Sequence, residues 1–231
     1  IVKGTLLFEG VGAVLLALRF IPRFGFSEGI FYGIFHGISA FCNAGFDLMG
    51  RYEPYTSLTP FRADPVVNLV IMALILIGGL GFVVWDDVAN NGLRMKKYQL
   101  HTKIVLSVTA GITIVGALLF YLFECNNLLK DAGIVEAALE SLFSSVTPRT
   151  AGFNTIDTAG LSEAGYLLTI IMMFIGGSPG STAGGIKTTT IAILVMYVWS
   201  EIRQTNGCNL FGRLVGPMYL PSQFLAVSPF A

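Results

Sequence analysis

The chain has 231 residues and no net formal charge, with 54% hydrophobic and 12% charged residues. Its mean hydropathy of +0.72 together with 27 glycines is rare in a water-soluble globular domain, so the composition predicts a membrane protein with the lipid bilayer as its solvent. The balanced charge gives no indication of a nucleic-acid partner. Cys42, Cys125 and Cys208 lie far apart without a histidine at ligand spacing, which argues against a disulfide framework and a zinc site.

Four segments are apolar and approach the roughly 20 residues that a helix needs to cross the hydrocarbon core. They are residues 5–20, 66–85, 104–123 and 166–199. The last segment is far too long for one uninterrupted span. It contains "GGSPGSTAGGIKTTT" at 176–190, which we call the glycine-rich loop. Two Gly-Gly pairs and a proline in this loop cannot form a steady helix. We therefore expect this span to be broken at the loop.

Two further segments have a helical pattern but are too short to cross, at about 1.5 Å per residue. They are residues 29–41 and 135–146, and each is followed by an Ala-Gly-Phe sequence. The densest basic cluster, Arg94, Lys96, Lys97 and Lys103, lies between the second and third spans and is predicted to be cytoplasmic. Both ends of the chain then lie in the cytoplasm and the two short helices on the outer side.

An internal repeat relates the two halves of the chain. "FCNAGFD" at 41–47 matches "PRTAGFN" at 148–154, and "IGGLGF" at 77–82 matches "IGGSPGS" at 175–181. The order of span, short helix, Ala-Gly-Phe and span with Gly-Gly is the same in both halves. The sequence thus predicts an all-α membrane protein of repeated units, each a transmembrane helix, a re-entrant pore half-helix and a transmembrane helix, as in potassium channels.

The repeat also divides the chain. The predicted parts are a first unit at 1–90, a cytoplasmic loop at 91–102, a second unit at 103–205 and an atypical tail at 206–231. The tail carries three prolines and does not continue as another unit, so we expect a truncated or frame-disturbed end. The chain starts at Ile1 without a signal-peptide pattern, which predicts an internal part of a longer protein.

The repeated Ala-Gly-Phe turns are expected to line a pore. Irregular backbone at membrane depth is tolerated only where it is buried in protein or lines a water-filled cavity. The half-helices end at these turns, so their negative dipole ends favour a cation there. Gly45 and Gly152 would let backbone carbonyls face the axis, with Asp47 adding negative charge at the outer mouth. The alternative is that both glycines merely cap re-entrant helices; the repeat favours the pore.

Four motifs carry a resemblance to a known family. "ISAFCNAGFDL", "SSVTPRTAGFNT", "QLHTKIVL" and above all "GGSPGSTAGGIKTTT" resemble the membrane subunit of the Trk/Ktr/HKT potassium-transporter superfamily, Ktr type. The resemblance runs from about residue 4 to about 213. It implies that the two units are the second and third of four around one pore, with the glycine-rich loop as an intramembrane gate.

The resemblance assigns roles to individual residues. K+ would bind at the backbone carbonyls of Gly45 and Gly152. The implied filter consists of Cys42, Asn43, Ala44, Gly45, Arg149, Thr150, Ala151 and Gly152. The implied gating residues are Gly176, Gly177, Ser178, Pro179, Gly180, Ser181, Thr182, Ala183, Gly184, Gly185 and Lys187. Glycine rather than serine in the filter goes with a preference for potassium.

The resemblance further implies a plasma-membrane homodimer on a cytosolic nucleotide-binding regulatory subunit, with no covalent cofactor. It leaves open channel-like transport or coupling to sodium or protons. The side chain of Lys187 has two interpretations: it either faces the pore or snorkels to the inner surface. Arg149 is expected to pair with an acid at the outer mouth, Asp47 or Asp157.

The main alternative function is an intramembrane serine hydrolase. Residues 176–180 fit G-x-S-x-G, the nucleophile elbow. The elbow needs a base, but His36 belongs to an outer half-helix, where we expect it to pack, and His101 to a cytoplasmic loop. A Walker A match at 180–187 also fails, because Ile186 separates Gly185 from Lys187 and no strand precedes it.

Overall fold

The computed structural model describes residues 1–52, 54–92, 94–203, 208–210 and 213–215, and helices dominate this part of the chain. The helices are α1 (Val2–Phe24), α2 (Phe26–Phe41), α3 (Pro65–Leu80), α4 (Phe82–Asn91), α5 (Leu100–Glu124), α6 (Ile134–Val146), α7 (Glu163–Phe174) and α8 (Thr188–Ile202). A short antiparallel hairpin of β1 (Cys208–Leu210) and β2 (Arg213–Val215) follows. The predicted helical membrane class is confirmed. Most of the tail at 206–231 lies outside the described residues.

Helix α2 packs closely along α1 through small residues. A methyl group on Gly33 would lie 2.6 Å from the Ala17 nitrogen, and one on Gly37 would lie 3.1 Å from the Ala13 nitrogen. Small residues on one face let helix backbones approach closely in a membrane. The 16 residues of α2 extend only about 24 Å, less than the hydrocarbon thickness of about 30 Å, so α2 is a half-helix.

The predicted span at 66–85 is formed by two helices that meet at a sharp bend. Helix α3 ends at Leu80, α4 starts at Phe82, and the two helix axes differ in direction by 97°. Gly81 between them has φ 90°, and a side chain there would lie 2.7 Å from the carbonyl oxygen of Pro179. The break therefore lies at a contact with the glycine-rich loop, 98 residues further along the chain.

Within the described residues, α1 and α5 are long and apolar enough to cross a membrane, and the α3–α4 pair is a third if it is counted as one span. The second half of the chain is built around α5. Ser145 of α6 donates a hydrogen bond to the Thr113 carbonyl of α5, and Gly116 leaves room for this contact. The span at 166–199 is interrupted as expected, because α7 ends at Phe174 and α8 begins only at Thr188.

The two halves are joined by contacts at the start of α6 and beside the second Ala-Gly-Phe turn. The Arg62 Nε lies 2.6 Å from Glu136 Oε1 and 2.8 Å from Glu140 Oε1. These ion pairs connect a loop of the first half to α6 of the second half. The Leu58 nitrogen donates to the Asn154 carbonyl at 2.8 Å. These contacts hold the two Ala-Gly-Phe turns side by side.

Candidate pore turns and glycine-rich loop

The two Ala-Gly-Phe turns follow the same backbone course. In the first, Asn43 has φ 51° and Gly45 has φ 71°; in the second, Thr150 has φ 74° and Gly152 has φ 92°. A positive φ is uncommon for residues other than glycine, and for a β-branched residue such as Thr150 it is an outlier. The equivalent residues of the two turns thus share an unusual conformation.

Each turn is also fixed by a hydroxyl group at the end of its half-helix. Ser39 Oγ donates to the Phe46 carbonyl at 2.8 Å, and Thr147 Oγ1 donates to the Phe153 carbonyl at 2.5 Å. Phe46 and Phe153 are the residues directly after the two glycines. The chain therefore leaves both turns along a similar, hydrogen-bonded path.

The structure brings the two glycines together. A side chain on Gly45 would overlap the Ala151 carbonyl oxygen, and its first carbon would lie 3.1 Å from the Gly152 Cα. Because α2 ends at Phe41 and α6 ends at Val146, both half-helices direct their C-terminal ends at this meeting point. Those ends carry partial negative charge from unsatisfied carbonyl groups.

The acids predicted at the outer mouth follow the turns, and each accepts a backbone hydrogen bond at a short 3₁₀ helix. Asp47 Oδ1 accepts a hydrogen bond from the Met49 nitrogen, and Asp157 Oδ1 accepts one from the Ala159 nitrogen, both at 3.0 Å. Asp47 is half-buried and Asp157 exposed. Both carboxylates lie close to the turns in sequence and shape the backbone that leaves them.

The predicted pairing of Arg149 with Asp47 or Asp157 is wrong. Arg149 is buried, its Nη2 donates to the Gly176 carbonyl at 3.3 Å, and the ion pairs found in the described part of the chain do not include it. The side chain therefore points at the glycine-rich loop instead of the outer mouth. Its charge lies just beyond the C-terminal end of α6, where the helix dipole favours a cation.

The glycine-rich loop is closed at its neck by backbone hydrogen bonds. The Gly176 nitrogen donates to the Ile186 carbonyl at 3.0 Å, and the Thr188 nitrogen donates to the Gly177 carbonyl at 3.1 Å. Within the loop, Lys187 Nζ donates to the Ala183 carbonyl at 2.8 Å. Lys187 folds back onto the loop, and this bond offsets the unfavourable position of a cation at the start of α8.

The loop rests on the bend between α3 and α4. The Ser178 nitrogen donates to the Gly79 carbonyl at 2.9 Å, and the Phe82 nitrogen donates to the Gly180 carbonyl at 3.0 Å. A third bond runs from the Thr182 nitrogen to the Gly78 carbonyl. The sequence "IGGLGF" identified the repeat but did not by itself predict this contact. The Gly-Gly pair in it, whose carbonyls bind the loop, was the feature that could have indicated the contact.

The loop also contacts both Ala-Gly-Phe turns. Thr182 Oγ1 accepts from Asn43 Nδ2 at 2.8 Å and donates to the Phe41 carbonyl at 2.9 Å. The Gly184 nitrogen donates to Thr150 Oγ1 at 3.3 Å. The loop therefore lies directly against the ends of both half-helices.

The structure gives the hydrolase alternative no support. Ser178 is fully buried, and its hydroxyl is hydrogen-bonded to Thr188 Oγ1 at 3.1 Å. His36 packs inside the first half, as expected, with its ring nitrogens against the Tyr32 carbonyl and the Leu48 nitrogen. In the described part of the chain, the hydroxyl of Ser178 is therefore paired with another hydroxyl and not with the base that the elbow requires.

Comparison with known proteins identifies the family. The family model described as TrkH, cation transport protein, matches residues 1–225 of the sequence. The chain belongs to the TrkH family. It is 44% identical over 216 residues to the potassium/sodium uptake protein NtpJ of Enterococcus hirae, covering 93% of this chain and 47% of that protein. It is 39% identical over 209 residues to the Ktr system potassium uptake protein B of Bacillus subtilis, covering 90% and 46%.

The fold agrees with this membership. The crystal structure of the potassium transporter TrkH from Vibrio parahaemolyticus matches with a TM-score of 0.71 at 22% identity, over 93% of this chain and 44% of that one. The chain spans about half the length of the curated relatives it matches. These TrkH-family relatives are uptake proteins and not enzymes, and the chain is a membrane protein of the same family.

Proposed function

We propose that this chain forms part of the pathway through which a TrkH-family transporter carries potassium ions across the plasma membrane. The observation that carries the proposal is the meeting of Gly45 and Gly152 at the C-terminal ends of two half-helices. Backbone carbonyls that replace the hydration shell are the ligands of potassium filters. Two dipole ends directed at one point add the negative potential that a cation needs.

The glycine-rich loop serves in this proposal as the gate. It interrupts the path between α7 and α8, lies against both turns through Thr182 and Gly184, and is seated on the bend at Gly81. A loop held by hydrogen bonds, without a packed helix of its own, can move aside at lower cost than a continuous span. Displacement of the loop would open the pathway under the turns.

The remaining assignments concern the whole protein and rest on the family resemblance and the basic loop. The pore would comprise four units, of which residues 1–90 and 103–205 are two. Sodium is an activating or coupled ion, the transporter is a homodimer, and a cytosolic nucleotide-binding subunit regulates it. The basic residues Arg94, Lys96 and Lys97 support a cytoplasmic position for both ends of the chain.

Uptake measurements test the proposal. The protein is expressed from its complete reading frame in cells that lack their own potassium uptake, with the empty vector as control. Growth at low external potassium should be restored, and rubidium uptake should exceed sodium uptake at equal concentrations. A protein that reaches the membrane but restores neither growth nor rubidium uptake would refute the proposed function.

A further inference from the structure

We propose that Asn43 and Thr150 are positioning residues that fasten the two Ala-Gly-Phe turns to the glycine-rich loop, so that the position of the loop sets the ion selectivity of the turns. The inference rests on the proposed function and deepens it. It makes gate and filter parts of one hydrogen-bonded unit, in which movement of the first changes the second.

The repeat places the two residues at equivalent positions. Each lies two residues before the glycine of its turn, and each has a positive φ. Asn43 Nδ2 donates to Thr182 Oγ1 at 2.8 Å, and Thr150 Oγ1 accepts from the Gly184 nitrogen at 3.3 Å. The same position of each half therefore contacts the same loop, which a chance contact on one side would not produce.

These bonds act on backbone that is held in an unfavourable conformation. A β-branched residue at positive φ persists only when its surroundings over-determine it. Thr182 Oγ1 also donates to the Phe41 carbonyl at the end of α2, so one hydroxyl fixes both the helix end and the Asn43 side chain. Asn43 is buried while the loop is in place, so this bond is shielded from competing water in that state.

Displacement of the loop would break the contacts of both turns together. Asn43 and Thr150 would then be free to leave their left-handed conformations, and the carbonyl groups of Gly45 and Gly152 would shift with them. We therefore expect ions that pass while the loop keeps both contacts to be selected more strictly for potassium than ions that pass after the loop has left them.

The test compares hydroxyl removal with hydroxyl retention in the protein expressed from its complete reading frame. Thr182→Val and Thr150→Val keep the shape and remove the bond, whereas Thr182→Ser and Thr150→Ser keep the hydroxyl. Thr169→Val is the matched control, because the bond of its hydroxyl found among the described residues lies within α7, to the Gly165 carbonyl. The measured quantity is the ratio of rubidium to sodium uptake per molecule in the membrane.

Thr150→Val should lower this ratio about fivefold, as expected for one lost hydrogen bond of ordinary strength. Thr182→Val should lower it at least as much, because its hydroxyl makes two such bonds. Both serine variants and Thr169→Val should remain close to wild type. Valine variants with the wild-type ratio overturn the inference while the proposed function stands. Absence of rubidium uptake in the wild type overturns the proposed function and this inference with it.

A second background separates coupling through the loop from a purely local effect. When residues 178–185 are deleted, Gly184 is gone, and Thr150→Val should cause no further change in the ratio. An equal change in both backgrounds overturns the coupling. If the shortened protein does not reach the membrane, the comparison of Thr182→Val with Thr182→Ser decides, and equal ratios in these two variants refute it.

Three other polar atoms carry a separate inference, that an ordered water molecule binds behind the turns. Asn43 Oδ1, Arg149 Nε and Thr109 Oγ1 are buried and have no hydrogen-bond partner among the residues that the structure describes. All three residues line one cavity of about 10 Å³, between α3, α5 and the loop. This volume suits a single water, and buried waters take two to four polar partners.

A cryo-electron microscopy map that resolves buried waters tests this site. A peak should lie within hydrogen-bond distance of Asn43 Oδ1, Arg149 Nε and Thr109 Oγ1. A map with other buried waters but no peak in this cavity refutes the water site, and it leaves the coupling through Asn43 and Thr150 untouched.

Discussion

The two halves of the chain share the Ala-Gly-Phe turn and differ in how the following span is interrupted. In the first half, a single residue, Gly81, separates α3 from α4 at a bend of 97°. In the second half, α7 and α8 are separated by the whole glycine-rich loop. The Gly-Gly pairs correspond in the repeat, yet the break in the first half forms the seat on which the loop of the second half rests. The bend of the first half and the loop of the second half thus form one contact, although they occupy equivalent positions of the repeat.

A second difference lies within the turns. Cys42 is exposed and its Sγ lies 3.8 Å from Glu9 Oε1, whereas Arg149 at the equivalent position is buried and bound to the Gly176 carbonyl. Only the second turn therefore carries a cation tied to the loop. Variants at paired positions can test whether these differences matter.

The largest effect is expected at the two glycines of the turns. Serine at Gly45 would overlap the Ala151 carbonyl oxygen, whereas the first carbon of a side chain at Gly152 would lie 3.6 Å from the Gly45 Cα, an ordinary contact. Gly45→Ser should lower rubidium uptake relative to sodium uptake by about tenfold or more, in line with the cost of overpacking. Gly152→Ser should lower it less, because only its positive φ is strained.

Gly10→Ser on α1 is the control for serine itself, since Gly10 is exposed and has no heavy atom within 4 Å of the added carbon. Uptake ratios per molecule in the membrane check the order of the three variants. Equal decreases of the uptake ratio in the Gly45→Ser and Gly152→Ser variants would contradict the proposed difference between the two turns.

The substitution Gly81→Ala should disturb the contact between the glycine-rich loop and the bend that joins α3 to α4. A methyl group there lies 2.7 Å from the Pro179 carbonyl oxygen, so the loop must shift and basal potassium flux should rise severalfold, at a stability cost of about 1–3 kcal/mol. Gly92→Ala is the matched control, since Gly92 also has a positive φ but no heavy atom within 4 Å. A rise in flux in both variants would show that backbone strain, and not the seat, is responsible.

The smallest effect is expected from the unequal turn residues. Arg149→Leu leaves the buried Gly176 carbonyl without its donor and should destabilise the protein by about 1–3 kcal/mol. Cys42→Ala should change stability by less than about 0.5 kcal/mol, as is usual for exposed positions. Thermal unfolding in detergent compares the two variants, and equal shifts would contradict the special role of Arg149.

The sequence predicted the local elements well and the contacts between them poorly. The half-helix at 29–41 was found as α2 (Phe26–Phe41), because the Ala-Gly-Phe turn marks where it ends. The bend at Gly81 was missed because the apolar run continues across it, and its contact with Pro179 joins residues 98 positions apart. Arg149 was assigned an acidic partner since sequence spacing cannot show which way a side chain points. Filter and gate roles remain predictions of the family resemblance.

The central claim is that the glycine-rich loop obstructs an ion pathway, and shortening the loop tests it most directly. Residues 178–185 are deleted in the complete reading frame, and potassium flux is measured together with the amount of protein in the membrane. In the proposed mechanism the loop supplies obstruction and no filter carbonyls, so flux per molecule should rise and depend less on the proposed regulatory subunit. A shortened protein that reaches the membrane in normal amounts with unchanged or lower flux would contradict the account.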